Sequence, residues 1–179
     1  MIRKFQETDT AQVLNIWLKG NEEAHPFVSG DYWKANQQEV GRQLLQARVF
    51  VCEEDGEIRG FIGIVEKYIA GIFVAGQYRS LGIGKRLLDH VKGQYDSLSL
   101  SVYRKNRRAA AFYSREQRAK RTCEHVHLAT AARVKNPAAC CEAFDSREGF
   151  SLLSEGVDEA TGEAEDTMIW KAESLPRES

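Results

Sequence analysis

The chain has 179 residues, 42% apolar and 28% charged, with a formal net charge of −1. That length suits one domain with a real hydrophobic core. The near-zero charge excludes any global attraction to nucleic acid or to an anionic membrane, and no apolar run nears the roughly 18 residues of a membrane-crossing helix.

Ile2 to Phe5 reads as a short first strand, and the N-terminus lacks the long apolar stretch of a signal peptide. A cytoplasmic location is therefore expected, with Cys52, Cys123, Cys140 and Cys141 as reduced thiols. Thr8-Asp9-Thr10 signals a helix start, followed by Val13, Leu14, Ile16 and Trp17 at helical spacing. The Pro and Gly of "EEAHPFVSGDYW" break that helix, and a second is expected over Asp31 to Gln46, capped by Ser29 or Asp31. "RVFVCEEDGEIRGFIGIVEKY" is two strand-like runs around Asp55-Gly56, a hairpin signal. "IAGIFV" is short and wholly apolar, as expected of a strand buried on both faces.

After "AGQYRSLGIG" comes an amphipathic helix with Leu87, Leu88 and Val91 on one side. "SLSLSVY" alternates strictly and predicts a strand, and the alanine-rich "NRRAAAFYSRE" predicts a helix. "GFSLLSEGV" and "DTMIWKA" predict two closing strands around an acidic loop of Asp158, Glu159, Glu163, Glu165 and Asp166. The polar tail from Glu173 is expected to fray. The order is β, two helices, a β meander, helix, β, helix and two strands: an α/β domain on a mixed sheet.

The stretch richest in chemistry is Arg79-Ser80-Leu81-Gly82-Ile83-Gly84-Lys85-Arg86, between a buried strand and a helix. A helix start offers unpaired N–H groups and the positive end of a dipole, so it can hold a phosphate. Glycines let the backbone approach the ligand, and Arg79, Lys85 and Arg86 add positive charge around the turn. A plain strand-to-helix turn without ligand is the alternative. The stretch has neither the Gly-Lys-Ser/Thr of a P-loop nor the three-glycine dinucleotide fingerprint, so neither ATP hydrolysis nor NAD chemistry is indicated.

R-x-x-G-x-G in this position resembles the acetyl-coenzyme-A loop of the GNAT superfamily of N-acetyltransferases. "SVYRKNRRAAAFY" is similar to that family's later strand followed by N-x-x-A-x-x-F-Y, here Asn106, Ala109, Phe112 and Tyr113. Gly149-Phe150 matches the "GF" that opens the next strand, and "HPF" at 25–27, "YW" at 32–33 and "EEDG" at 53–56 resemble the small bacterial YiaC-like branch. The resemblance implies the GNAT fold, with central strands splayed around the pantetheine arm of acetyl-coenzyme A as co-substrate and no metal. It implies that the backbone of Ile72, Phe73 and Val74 pairs with the arm's amides, and that Arg79, Ser80, Leu81, Gly82, Ile83, Gly84 and Lys85 hold the pyrophosphate. Asn106 would bond the arm near the thioester, and Tyr113 would protonate the leaving thiolate. Some relatives in that branch acetylate protein lysines.

Several assignments stay open at this level. A free lysine has a pKa near about 10.4, so a base must take its proton before attack; Glu66 is the candidate, and a solvated strand-end charge is the alternative. Tyr113 can equally be a packed helix tyrosine, and Asn106 a helix N-cap or both cap and ligand. Trp17, Phe27, Tyr32 and Trp33 either flank the acceptor or pack the core, and the acidic loop either attracts a cation or is a solvated hairpin tip. The acceptor is an amine, on a small molecule or a protein lysine, and the chain is a monomer or homodimer. A non-catalytic acyl-coenzyme-A-binding protein is the rival from another class.

"AFYSREQ" at 111 returns as "AFDSREG" at 143. In the family, F-Y is followed three residues later by G-F; here that pair arrives only at 149–150. Removing 117–148 restores the family spacing, so the expected organisation is one domain over 1–172, interrupted by a helical insertion at 117–148, with a tail at 173–179. The second copy has Asp145 where the first has Tyr113. Cys123-x-His125-x-His127 and Cys140-Cys141 suit zinc by ligand type but match no strong zinc spacing.

Overall fold

The computed structural model describes residues 1–113 and 149–172. The repeat's second copy, the cysteines and histidines between the copies, and the tail all lie outside the described residues.

The elements run β1 (Ile2–Lys4), α1 (Thr10–Ala24), α2 (Gly30–Gln46), β2 (Arg48–Glu54), β3 (Glu57–Val65), β4 (Tyr68–Val74), α3 (Ile83–Lys92), β5 (Ser97–Tyr103), a helix α4 at 107–113, β6 (Ser151–Val157) and β7 (Ala164–Lys171). The described residues form one seven-stranded sheet in the order β1-β2-β3-β4-β5-β7-β6. Only β4 and β5 run parallel. The expected mixed α/β architecture and element order hold.

Local chemistry explains the boundaries. Ser29 caps α2 by accepting from the Asp31 N–H at 3.3 Å, so the helix opens at Gly30. Asp55 and Gly56 both have positive φ, 55° and 76°, which lets a two-residue turn follow the twist of β2 and β3. Asp9 is buried at the foot of α1, where its carboxylate accepts two bonds from Arg3, at 2.7 and 3.0 Å, and one from the Gln6 N–H at 2.8 Å. Arg3 also reaches Glu53 at 2.5 Å, tying β1 and β2 to the helix layer.

The sheet carries a core on each face. Val13, Ile16 and Leu44 of the first helices pack against Val49, Val51 and Phe61. On the other face Leu87, Leu88 and Val91 of α3 meet Ile62, Leu98 and Leu100. The alternation of "SLSLSVY" is realised, with Leu98, Leu100 and Val102 buried and the residues between them half-buried.

Two expectations need correction. "IAGIFV" is not buried on both faces: Ile69 is, but Ala70 is exposed and Gly71 to Val74 are half-buried. The cause is the departure of β5 from β4, which leaves no strand on that edge. The acidic residues are not one loop: Glu165 and Asp166 belong to β7, opposite Tyr103 and Val102, and only 158–163 form the connection.

Candidate active site

β4 and β5 meet at one registered pair, Tyr68 opposite Ser99, supported by the Ser99 N–H donating to the Lys67 carbonyl at 2.9 Å. Beyond it they part. Ile72, Phe73 and Val74 pair with Ile62, Phe61 and Gly60 of β3 on one side and have no strand partner on the β5 side. A register shift between Gly63 and Ile64 leaves Ala70 as an extra residue on β4. Unpaired backbone groups inside a fold need hydrogen-bond partners, so the fork suits an extended ligand that carries amides.

The mouth of the fork lies at the Arg79–Arg86 turn. Ser80 and Gly82 have φ of 66° and 77°, and Gly82 is the N-cap of α3 with no side-chain cap bond. Left-handed residues alternating with ordinary ones turn successive N–H groups inward into an anion-binding concavity, and the N–H groups of the first turn of α3 point the same way. A left-handed serine is a costly backbone state of the kind that collects at functional sites. The cations are less available than the sequence suggests. Arg79 ion-pairs with Glu23 of α1 and donates to the Val74 carbonyl at 3.2 Å. Lys85 reaches Asp89 at 2.8 Å, and Arg86 reaches Glu54 and the Cys52 Sγ, each at 2.7 Å. The attraction for an anion therefore rests on backbone dipoles more than on free side-chain charge. Leu81 stands exposed between them.

Tyr113 is buried in α4 against Phe112 and Phe150, with ring centroids 5.1 and 5.5 Å away. Burial, with a smaller contribution from Tyr68 on β4, pushes its phenol well above the ordinary range. The hydroxyl therefore stays protonated, which is the form that can donate. Asn106 is the cap of α4, its Oδ1 accepting from the Ala109 N–H at 3.0 Å. Its Nδ2 faces His25 Nε2 at 3.1 Å and has a second N–H for another partner. Glu66 lies in the exposed turn between β3 and β4, with φ of 56°, at the closed end of the fork.

Aromatic residues gather between the first helices and the end of β5. His25 meets Tyr103, Trp33 and Phe27 at centroid distances of 5.0, 5.5 and 5.6 Å, and Trp33 meets Tyr32 and Trp17 at 5.0 and 6.0 Å. Trp33 is buried, while Trp17, Phe27 and Tyr32 are half-buried. Of these, Trp17 packs against the core under the first helices, and Phe27 and Tyr32 stand at a partly open surface. The sequence flags His25 only through "HPF" and does not flag Tyr103; nothing in their spacing places them side by side. The acidic residues nearby are mostly engaged. Asp158 accepts from the Tyr103 hydroxyl at 2.6 Å, Glu163 pairs with Lys105 at 2.8 Å, and Arg104 binds Asp166 and Glu155, each at 2.6 Å.

Known proteins share this fold. The model of the Acetyltransferase (GNAT) domain matches residues 45–116. The chain is 37% identical over 115 residues to the peptidyl-lysine N-acetyltransferase YiaC of Escherichia coli (strain K12), spanning 63% of this chain and 79% of that one. It is 40% identical over 75 residues to the 5-NmdU N-acetyltransferase of Pseudomonas phage PaMx11, spanning 37% of this chain and 54% of that one. Among solved structures, apo YjaB from Escherichia coli superposes with a TM-score of 0.67 at 18% identity, covering 95% of this chain and 96% of that one. The PaiA N-acetyltransferase of Thermoplasma acidophilum in complex with coenzyme A gives 0.65 at 14% identity, covering 96% and 98%.

Proposed function

The chain belongs to the GNAT family of N-acetyltransferases, and on that premise we propose that it moves the acetyl group of acetyl-coenzyme A onto the side-chain amine of a protein lysine. The single observation that carries the donor assignment is the fork: a strand edge at Ile72 to Val74 with no strand partner on the β5 side, its Val74 carbonyl taken by Arg79, leads through a short turn into the helix start at Gly82. An amide-bearing arm ending in a pyrophosphate satisfies both at once.

The chemistry is direct attack in a ternary complex. The neutral amine nitrogen bonds to the thioester carbonyl carbon. A backbone N–H of the open β4 edge supports the oxyanion. The C–S bond then breaks, Tyr113 gives its phenolic proton to the leaving thiolate, and the proton lost by the amine leaves through a chain of water, for which Glu66, at the closed end of the fork, is the proposed acceptor. The products are an acetamide and free coenzyme A. Glu66→Gln should lower turnover without weakening coenzyme A binding; wild-type turnover in that variant would remove Glu66 from the reaction. Residues 117–148 are an insertion in the single domain that spans 1–172.

The lysine reading is supported by the identity to YiaC, named for peptidyl-lysine, and by the half-buried aromatics that would flank an alkyl stem. The ion pairs of Lys105 with Glu163 and of Arg104 with Asp166 reduce the negative charge there that could draw in a small polycation. The test is thiol release from acetyl-coenzyme A with lysine peptides and with polyamines, the product being located by mass spectrometry. Acetylated lysine in the peptides is expected. Turnover confined to small amines would overturn the lysine assignment and leave the acetyltransfer intact.

A further inference from the structure

His25 sits at the end of α1 and Asn106 at the start of α4, and the structure joins them at 3.1 Å. The surrounding bonds decide which atoms donate. Asn21 gives its Nδ2 to the Trp17 carbonyl at 3.0 Å, so its Oδ1 is the atom facing His25 Nδ1 at 3.1 Å. Nδ1 therefore carries the imidazole proton. Asn106 uses Oδ1 to accept from Ala109, so its Nδ2 faces His25 Nε2. Nε2 must then accept, and the ring must be neutral. A proton on Nε2 would oppose the Asn106 N–H and break the link.

We propose that His25 is a positioning residue for acetyl transfer: its unprotonated Nε2 holds the Asn106 amide, and with it the second Asn106 N–H, in the orientation that binds the donor arm. This rests on the reading of Asn106 as a ligand of that arm. The ring is held in place by Phe27, Trp33 and Tyr103, so its lone pair has a fixed direction.

The titratable groups around it are consistent with a neutral ring. From β5, Tyr103 is pushed up by burial and by its bond to Asp158. Burial raises Asp158, and the bonds from Tyr103, Thr161 and Ala160 more than reverse this, so it stays ionised. Lys105, over the Phe27 ring, is paired with Glu163, and on α1 Glu22 faces Lys34. Tyr32 of α2 packs on Trp33 and adds a small push to the Tyr103 phenol. Burial lowers the His25 pKa from its ordinary value, so near neutral pH the ring is in the accepting form.

The experiment compares wild type, His25→Ala, His25→Gln, Asn106→Ala and the His25→Ala/Asn106→Ala double variant by coenzyme A binding from pH 5 to 8, with an NMR titration of the His25 ring. His25→Ala should weaken binding at pH 8 about 5–10-fold, the scale of one hydrogen bond. The double variant should be no weaker than Asn106→Ala. The ratio of wild-type to Asn106→Ala affinity, in which the ligand's own phosphate titration cancels, should fall as pH drops through the His25 pKa. His25→Gln, whose amide oxygen can accept the same bond without titrating, should keep affinity and lose that step. Asn106→Ala should raise the His25 pKa, because the lost donor favours the neutral ring. Additive single effects, or a ratio flat with pH, would overturn the inference; the ratio needs no His25 variant to fold. An Asn106→Ala protein that shifts the His25 pKa but binds coenzyme A normally would instead overturn the donor-arm role of Asn106, and His25's positioning role with it.

Discussion

The Tyr113 ring packs against the Phe150 ring, centroids 5.5 Å apart and planes at 60°, although the whole of 117–148 lies between them in the chain. Phe150 is fully buried, in the same core as Leu87 and Leu98. Both flanks of the proposed insertion therefore reach the core beside the proposed proton donor. Loop-closure cost grows only logarithmically, about 0.6 kcal/mol per doubling, so a long excursion between fixed ends is thermodynamically tolerable.

Deleting Gln117 to Glu148 joins these flanks at the family's spacing. The shortened protein should be a folded monomer with equal or higher acetyltransfer, checked by light scattering, circular dichroism and thiol release. A folded deletion variant that no longer binds coenzyme A would make 117–148 part of the site.

Tyr113→Phe keeps the ring contacts with Phe112 and Phe150 and removes the proton. General-acid groups contribute about 10²–10⁴-fold, so kcat should fall by that order with coenzyme A affinity nearly unchanged. Wild-type turnover under conditions where chemistry limits the rate would exclude Tyr113 as the acid.

At Gly82 an added Cβ meets nothing within 4 Å, so a side chain there fails for backbone and charge reasons and not for space. Gly82→Asp places a negative charge at the N-cap of α3 and should weaken coenzyme A by at least about 1–3 kcal/mol. Gly82→Asn tolerates the left-handed backbone without the charge and should lose less. Equal affinities for all three proteins would remove the pyrophosphate from this turn.

Arg3→Met strands the buried Asp9 carboxylate. The cost should be about 2–4 kcal/mol at pH 7, between a lost charged hydrogen bond and an uncompensated buried charge. Hydrogen bonding from Arg3 holds the Asp9 carboxyl below its ordinary range, against burial and with help from the Gln6 N–H. A depressed folded pKa stabilises the protein above the unfolded value, near about 3.9, and that contribution is lost as pH falls through the folded pKa. The gap between wild type and Arg3→Met in urea unfolding should therefore be full at pH 7 and narrow toward pH 3. A gap independent of pH would mean that Arg3 acts through packing alone.

Much of this was legible in the chain because it is local. Asp55-Gly56 encodes its turn, "SLSLSVY" encodes which side chains go inward, and the strand-glycine-helix order around Gly82 encodes a turn from strand to helix, since each depends on neighbours a few residues away. The half-burial of "IAGIFV" was not legible, because apolar composition states a preference for burial and cannot say that β5 will turn away after Ser99. The pairing of Arg79 with Glu23 and of Arg86 with Glu54, which leaves backbone dipoles to attract an anion, depends on how α1 and β2 pack beside the loop. The tie between His25 and Asn106, eighty-one positions apart, is of the same kind. Sequence fixes what a residue can donate or accept; only the packing of α1 against the end of β5 decides which partner receives it.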